Sequence, residues 1–484
     1  MTTTSRALFP RRPLVALLAT VLLATGASCS PGGPAMAHLH RPEAPFREVG
    51  VDLSPYRSVQ ERPGQDPTVG LALACSGGGM RAANLTAGVL LGLEELQKEP
   101  GSAANALREV DYFSSVSGGG LGVGAYLSSL HDFQQFGGTA QDYSLAAAMA
   151  PMPAPEALPP PAKQRTDPGL RDHLAHSYAR YAWGQMMATL TGGRLHRGHF
   201  IERAFDDRIL GHRWREGKYA AMAATSRPAR NGLTVGDLFP PAGKAAPEVR
   251  LPIWCPNATA LLNGSLFVFT PEHLRAYKVI EYFHRLETVR ADVVDPAKPR
   301  DDAQRRAYEE FIAGFPMGAA LAASNSFPLA VPPPVLRSAL SPDYPYLYLT
   351  DGGLADNLGV YTALRMLKTE PGAGVRHKGL IVLDARNDGY SAVGKRERSP
   401  NILMTAAQIP IAQLRSWHGR FQEVVEALCK SPDYAGPGQE IHPVFLGMTQ
   451  LSDLTDCSPL RERGLSRQSM ERLAARAGVA PAGA

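Results

Sequence analysis

The sequence predicts an α/β fold, a mostly parallel sheet with helices on both faces. Residues 71–75 and 110–116 carry that prediction. Each is an apolar, β-prone run that passes through a cluster of glycines straight into a helical pattern. A third run, residues 379–384, is strongly apolar, as expected of a strand in a covered parallel sheet. The two strand–turn–helix units are expected to place both glycine turns at the same end of the sheet, where open α/β sheets bind ligands.

At 484 residues the chain has room for one large domain or two ordinary ones, and its 44% hydrophobic and 20% charged content is that of a globular protein. Residues 1–28 read as a signal peptide. Arg6, Arg11 and Arg12 precede an apolar core, residues 14–24, too short for a comfortable membrane span. Gly26-Ala27-Ser28-Cys29 then partly matches a bacterial lipoprotein box, which makes Cys29 a candidate for lipidation. The A-x-A site at Ala35-Met36-Ala37 offers ordinary cleavage as the alternative. The first reading anchors the protein to a bacterial membrane, facing the periplasm or the exterior; the second makes it periplasmic or secreted. Without the three arginines the formal charge of +5 falls to +2, so nothing in the mature chain points to nucleic acid. Residues 29–66, rich in Pro, Gly and charge, read as a tether.

The core begins near residue 67. Leu85, Val89, Leu90, Leu93 and Leu96 fall at helical spacing, and Pro100-Gly101 ends that helix. The strand at 110–116 and its helix follow. Residues 150–169 turn to Pro and Ala, a surface excursion. Residues 170–210 look helical and aromatic-rich, and two readings stand: an insertion packing its aromatics on the core, or a lid or membrane-contact surface. Residues 251–259 and 264–269 read as two core strands, 317–326 as a small-residue helix packed closely on the sheet, 346–351 as a strand and 357–367 as a helix. Residues 402–428 have an amphipathic helical pattern, and 442–446 form one more candidate strand. Of the cysteines beyond Cys29, Cys429 and Cys457 lie close enough in sequence to pair, and Cys75 reads as a small apolar residue. Their spacing shows no metal site, and no acidic cluster suits calcium.

The chemistry concentrates in three turns. Ser117 stands at the tip of a strand–turn–helix, Ser115-Val116-Ser117-Gly118-Gly119, a nucleophile elbow in which Ser115 replaces the usual first glycine. The competing readings are a glycine turn that only saves space and a loose dinucleotide fingerprint, Gly120-x-Gly122-x-x-Ala125, which falls in the helix rather than the turn. Gly77, Gly78 and Gly79 leave backbone N–H groups unshielded, which suits an oxyanion hole; a P-loop would need Lys-Ser/Thr where Met80-Arg81 stands. Asp351 is delivered by a β-rich run into Gly352-Gly353, a position for a general base. Taken singly, each loop reads equally well as an ordinary turn.

In that order, Ser76-Gly77-Gly78-Gly79-Met80-Arg81-Ala82, the Ser117 elbow and Asp351-Gly352-Gly353 resemble the patatin-like phospholipases and their cytosolic phospholipase relatives. The resemblance implies a patatin-like three-layer sandwich over residues 67–390 with a Pro-rich and helical insertion at about 135–250, followed by a C-terminal extension, residues 391–484. It implies a Ser–Asp dyad without histidine: Ser117 as nucleophile, Asp351 as base and Gly77, Gly78 and Gly79 as oxyanion donors. Arg81 matches an arginine near the substrate phosphate in the cytosolic branch; its alternative is to brace the loop against a carboxylate. Leu354-Ala355-Asp356-Asn357 also resembles that branch. The expected activity is hydrolysis of phospholipid or lysophospholipid acyl esters at a membrane surface, with no cofactor. The alternatives are acyl transfer to another alcohol, a lipid-binding protein without catalysis, and a hydrolase using one of the 13 histidines. The oligomeric state stays open.

Overall fold

In the computed structural model the chain runs β1 (Val69–Cys75), α1 (Met80–Glu95), β2 (Val110–Val116), α2 (Gly118–Gln135), α3 (Leu145–Met149), α4 (Val235–Leu238), β3 (Ile253–Ala260), β4 (Leu266–Val268), α5 (Pro271–Ala276), β5 (Val279–Tyr282), α6 (Asp302–Ala313), α7 (Met317–Ser324), β6 (Val335–Ser338), β7 (Tyr346–Asp351), α8 (Val360–Lys368), β8 (His377–Asp384), α9 (Phe421–Lys430), α10 (Pro432–Ala435) and β9 (Ile441–Gly447). The structure describes residues 51–56, 62, 65–96, 105–135, 138–149, 174, 178, 201–202, 204–205, 209–210, 232–240, 250–282, 302–328, 331, 334–341, 343, 345–370, 374–385, 421–436 and 439–447. The signal peptide, Cys29, Cys457 and the Pro-rich excursion of the sequence reading lie outside them.

The nine strands form one sheet in the order β5-β6-β7-β3-β2-β1-β8-β9, with β4 beside β3. The run β3-β2-β1-β8-β9 is parallel throughout. β7, β6, β5 and β4 add an antiparallel arm on β3. All seven residues of β2 are buried, because helices cover both of its faces. Successive side chains of a strand point to opposite faces. Ser114 points toward α8, where its hydroxyl donates to the Gly359 carbonyl at 2.6 Å, and Ser115 points toward α2 and α7, beside Gly120 and Leu321. The fold is thus the three-layer α/β sandwich expected, with the parallel strands extended by an antiparallel arm. The arm's short strands β5 and β6, four residues each, have too little length for a period to show in sequence.

Stretches outside the strands and helices expected of the family domain's core also pack against it. Val51, Leu53 and Tyr56, from the end of the expected tether, are buried in it. Arg62 and Gln65 reach the buried Asp111 at the start of β2, at 3.2 and 3.0 Å. In the aromatic-rich insertion, Leu174, Ile201, Phe205, Ile209 and Leu210 are buried in the core, and Tyr178 meets Phe205 edge to face. From the C-terminal extension, β9 joins the sheet beside β8, and Lys378 Nζ donates to the Ala435 carbonyl at 3.1 Å. Cys75, Cys255 and Cys429 are buried free thiols, and burial pushes the Cys75 thiol up to about 12.

Candidate active site

β1 and β2 are parallel neighbours, with Cys75 beside Ser115, so the two glycine turns leave the sheet side by side. Ser117 takes φ +50, the left-handed conformation that a side-chain-bearing residue rarely adopts. That turn ends β2 and starts α2 at the next residue. Three side chains hold it. The Ser117 N–H donates to Ser324 Oγ at 2.8 Å, from the C-terminal end of α7. Beneath the turn, Asn257 Nδ2 donates to Ser114 Oγ at 2.9 Å and to the Ser115 carbonyl at 3.0 Å. Thr362 of α8 closes this buried network by donating to Asn257 Oδ1 at 2.6 Å. Ser115, the residue that departs from the elbow pattern, accepts the Trp254 indole N–H at 2.8 Å, a bond that glycine cannot make.

The glycines after Ser117 are dictated by contact. A Cβ on Gly118 would collide with the Gly79 carbonyl, and one on Gly119 would stand 2.6 Å from the Ser76 oxygen. The elbow and the glycine loop therefore touch backbone to backbone. Gly120 and Gly122 continue the close approach, against Leu321, Ser115 and Thr86, which accounts for the glycine spacing that imitated a dinucleotide fingerprint.

The glycine loop differs from expectation at one position. Gly77 N–H donates to the Asn357 carbonyl at 2.8 Å, so it is spent inside the protein and is not free to hold an oxyanion. Gly78 and Gly79 have φ +148 and +63, and among the described residues neither N–H meets an acceptor. Directly after Gly79, α1 begins with no side-chain cap. The N-termini of α1 and α2 thus both open at this end of the sheet and present positive dipole ends to it. Arg81, in the first turn of α1, has a buried Nε with no hydrogen-bond partner, and its Nη2 lies 3.7 Å from where a Gly78 Cβ would be.

Asp351 arrives from the arm. β3 sets its position: Asn257 pairs with Val116, just before Ser117, and the next residue, Ala258, pairs with Asp351. The Ser117 side chain faces the Asp351 carboxylate closely enough to favour its ionised form. Gly353 N–H donates to Asp351 Oδ1 at 2.8 Å, and the Asp351 N–H donates to the Ser326 carbonyl at 3.0 Å. Burial raises the carboxyl to about 6, against the opposing pull of the Ser117 hydroxyl and the Gly353 N–H. Asp356 accepts the N–H groups of Leu358, Gly359 and Tyr361 at 3.0–3.1 Å and so caps α8. Asn357, beside it, packs its Oδ1 against Gly77 and Gly353. The segment after Asp351 therefore ties this carboxylate to the glycine loop.

The family model for patatin-like phospholipase matches residues 73–364, more than half of the chain. The chain belongs to the patatin-like phospholipase family. Patatin-like phospholipases are hydrolases that act on lipid esters. Among solved structures, human GIVD cytosolic phospholipase A2 aligns with a TM-score of 0.26 and 14% identity, over 66% of this chain and 46% of that one. The alignment spans about half the length of that protein. No curated protein matches.

In this patatin-like chain, the fold brings Ser117, Asp351 and the glycine loop together from three separate stretches. The described histidines lie elsewhere. His131 meets Gln135 and Asp237, His273 meets Thr270, and His377 and His442 stand at the starts of β8 and β9, the other end of the sheet. Asn357 stands in the segment that carries the resemblance, without a role of its own; the sequence reading missed Ser324 and Asn257. Each is a single polar residue whose partner lies far along the chain, and nothing local marks it. The nearest available signal was the serine pair that ends the small-residue helix, Ser324 and Ser326.

Proposed function

We propose that the protein hydrolyses acyl esters of phospholipids or lysophospholipids with Ser117 as nucleophile and Asp351 as general base. The observation that supports this reading is the placement of Ser117, on its strained elbow, beside the buried Asp351 carboxylate, through the pairing of both strands with β3. Asp351 takes the hydroxyl proton as Ser117 Oγ attacks the acyl carbonyl. The N–H groups of Gly78 and Gly79 donate to the oxyanion as it forms. When the tetrahedral intermediate collapses, protonated Asp351 gives its proton to the departing alcohol, which leaves the acyl chain on Ser117. Asp351 then takes a proton from water, which attacks the acyl-enzyme and frees the fatty acid and the serine. Arg81 is proposed to hold the substrate phosphate, since its guanidinium can grip two phosphate oxygens at once. Export with lipidation at Cys29 would keep the enzyme at a membrane.

The test is product analysis by mass spectrometry on mixed phospholipids, together with labelling by a fluorophosphonate. Ser117→Ala is expected to abolish labelling and to lower hydrolysis by about 10³ or more while the protein stays folded. Full labelling of the variant would remove Ser117 as the nucleophile. Products carrying a transferred acyl chain would reassign the same dyad to acyl transfer.

A further inference from the structure

β2 stops at Val116, but its partner β3 does not. From Asn257, opposite Val116, β3 continues to Ala260 and turns through residues 261–264 into β4. At about 3.3 Å per residue, Leu261 stands roughly 13 Å beyond the level at which the elbow leaves the sheet. β7 rises to the same height on β3: Leu349 pairs with Ala260, and Leu261 N–H donates to the Tyr348 carbonyl at 2.9 Å. β6 runs antiparallel to β7 and ends with Ser338 N–H on the Pro345 carbonyl, so the loop between them, with Leu340, reaches further still. Two hairpin tips therefore rise past Ser117 and Asp351 on one side of the candidate site.

These tips are apolar where hairpin tips are ordinarily polar. Leu262 is 64% exposed, and Leu261, Leu340, Tyr346 and Tyr348 are exposed beside it. Of the nine large hydrophobic side chains exposed among the described residues, these five share one crest. Chance scatter would spread them over the surface. The charges around the crest nearly cancel: Lys278 and Arg337 on one side, Asp343 and the Arg337 partner Glu281 on the other.

We infer that this crest seats the protein on a lipid surface by inserting its leucines, with Tyr346 and Tyr348 at headgroup level. The inference rests on the lipid-hydrolase reading of the neighbouring site and deepens it. A pair of protruding tips fits a fluid interface, into which leucines can sink. Tyrosine suits its edge, where one end of the ring is apolar and the other wet. With so little net charge, the attachment draws on apolar insertion and requires no anionic headgroup. Seated this way, the crest holds Ser117 just outside the bilayer surface, and a phospholipid rises part-way out of the layer for its ester carbonyl to reach the serine.

The experiment uses the full chain carrying Cys29→Ser, so that no acyl anchor contributes. Flotation with zwitterionic phosphatidylcholine vesicles is compared between that protein and the same protein with Leu261→Ser, Leu262→Ser and Tyr348→Ser. The expected result is vesicle partition weakened by about tenfold or more in the triple variant. Its kcat/KM on a monomeric, water-soluble p-nitrophenyl ester should be unchanged, since none of the three residues belongs to the dyad or the oxyanion loop. Equal partition of the two proteins, or no partition of the parent, would overturn the inference. So would a parent that is dimeric in solution and a variant that is monomeric, which would make the crest a contact between copies. Failure of the parent on the soluble ester would instead count against the hydrolase reading, and flotation is measured independently of it.

Discussion

Asp351 carries two opposed demands. A base must be ionised to take a proton, yet burial makes its ionised form costly and lifts it to about 6. Activity is therefore expected to rise with pH through about 6, as the carboxyl loses its proton, when kcat/KM is followed on a neutral soluble ester. Stability runs the other way. With its folded value above the unfolded carboxyl value, the group favours the folded state below pH 4 and loses that contribution as pH climbs through 6. By neutral pH the loss is about 2–3 kcal/mol. Asp351→Asn should thus lower turnover by about 10² or more and yet raise Tm at pH 8, with the gain vanishing near pH 4. Asp111, also raised to about 6 by burial, titrates in the same window, so the difference between the two proteins is what isolates Asp351. A variant with no pH-dependent gain would show that the carboxylate is better solvated than its burial indicates. Arg81→Ala should weaken kcat/KM on a phospholipid while sparing a neutral p-nitrophenyl ester, because its unpartnered guanidinium nitrogen braces nothing. Equal loss on both substrates would return Arg81 to a structural role. The turns that carry Ser117, Asp351 and Arg81 were legible in the sequence because each is a local glycine pattern. The loss of Gly77 as a free donor was not legible, since its acceptor, the Asn357 carbonyl, lies far along the chain.

Among the elements, α7 does more than fill space. Its small residues let it lie against β3 and β7, and its last turn supplies Ser324 to the elbow. Just past that turn, the Ser326 carbonyl accepts both the Asp351 N–H and the Thr350 hydroxyl. One helix end therefore holds both halves of the proposed dyad. Ser324→Ala would leave the Ser117 N–H buried without an acceptor, a penalty of about 1–3 kcal/mol. The expected outcome is a fluorophosphonate labelling rate and a kcat lowered by about tenfold, with KM little changed. A labelling rate equal to wild type would show that the elbow keeps its geometry without α7. In sequence, α7 reads only as close packing, because a helix of small residues carries no periodic signal for the hydroxyl at its end. β1, β2 and β8 were legible for the opposite reason: a strand covered on both faces must be apolar along most of its length.

For the molecule as a whole, the sheet extends beyond the region matched to the family. β9 covers the open edge of β8, and Val425, Cys429, Ala435 and Ile441 bury apolar surface there. A chain ended at residue 390 would expose that edge of β8 to any passing strand. It is expected to aggregate on expression, as read by size-exclusion chromatography; a monodisperse product with wild-type Tm would show that the last strand is dispensable. The sequence reading treated this region as an extension because β9 is only half-buried and its apolar signal is weak. The order of the strands also has a consequence in time. Ser117 and the loop that would hold its oxyanion are synthesised early, whereas Asp351 follows about 230 residues later. At bacterial or eukaryotic elongation rates that interval is roughly 10–50 s. Throughout it the emerging chain has its proposed nucleophile and lacks its proposed base, so on the proposed reading a lipid-cleaving enzyme stays harmless to the cell that is making it until its arm is complete.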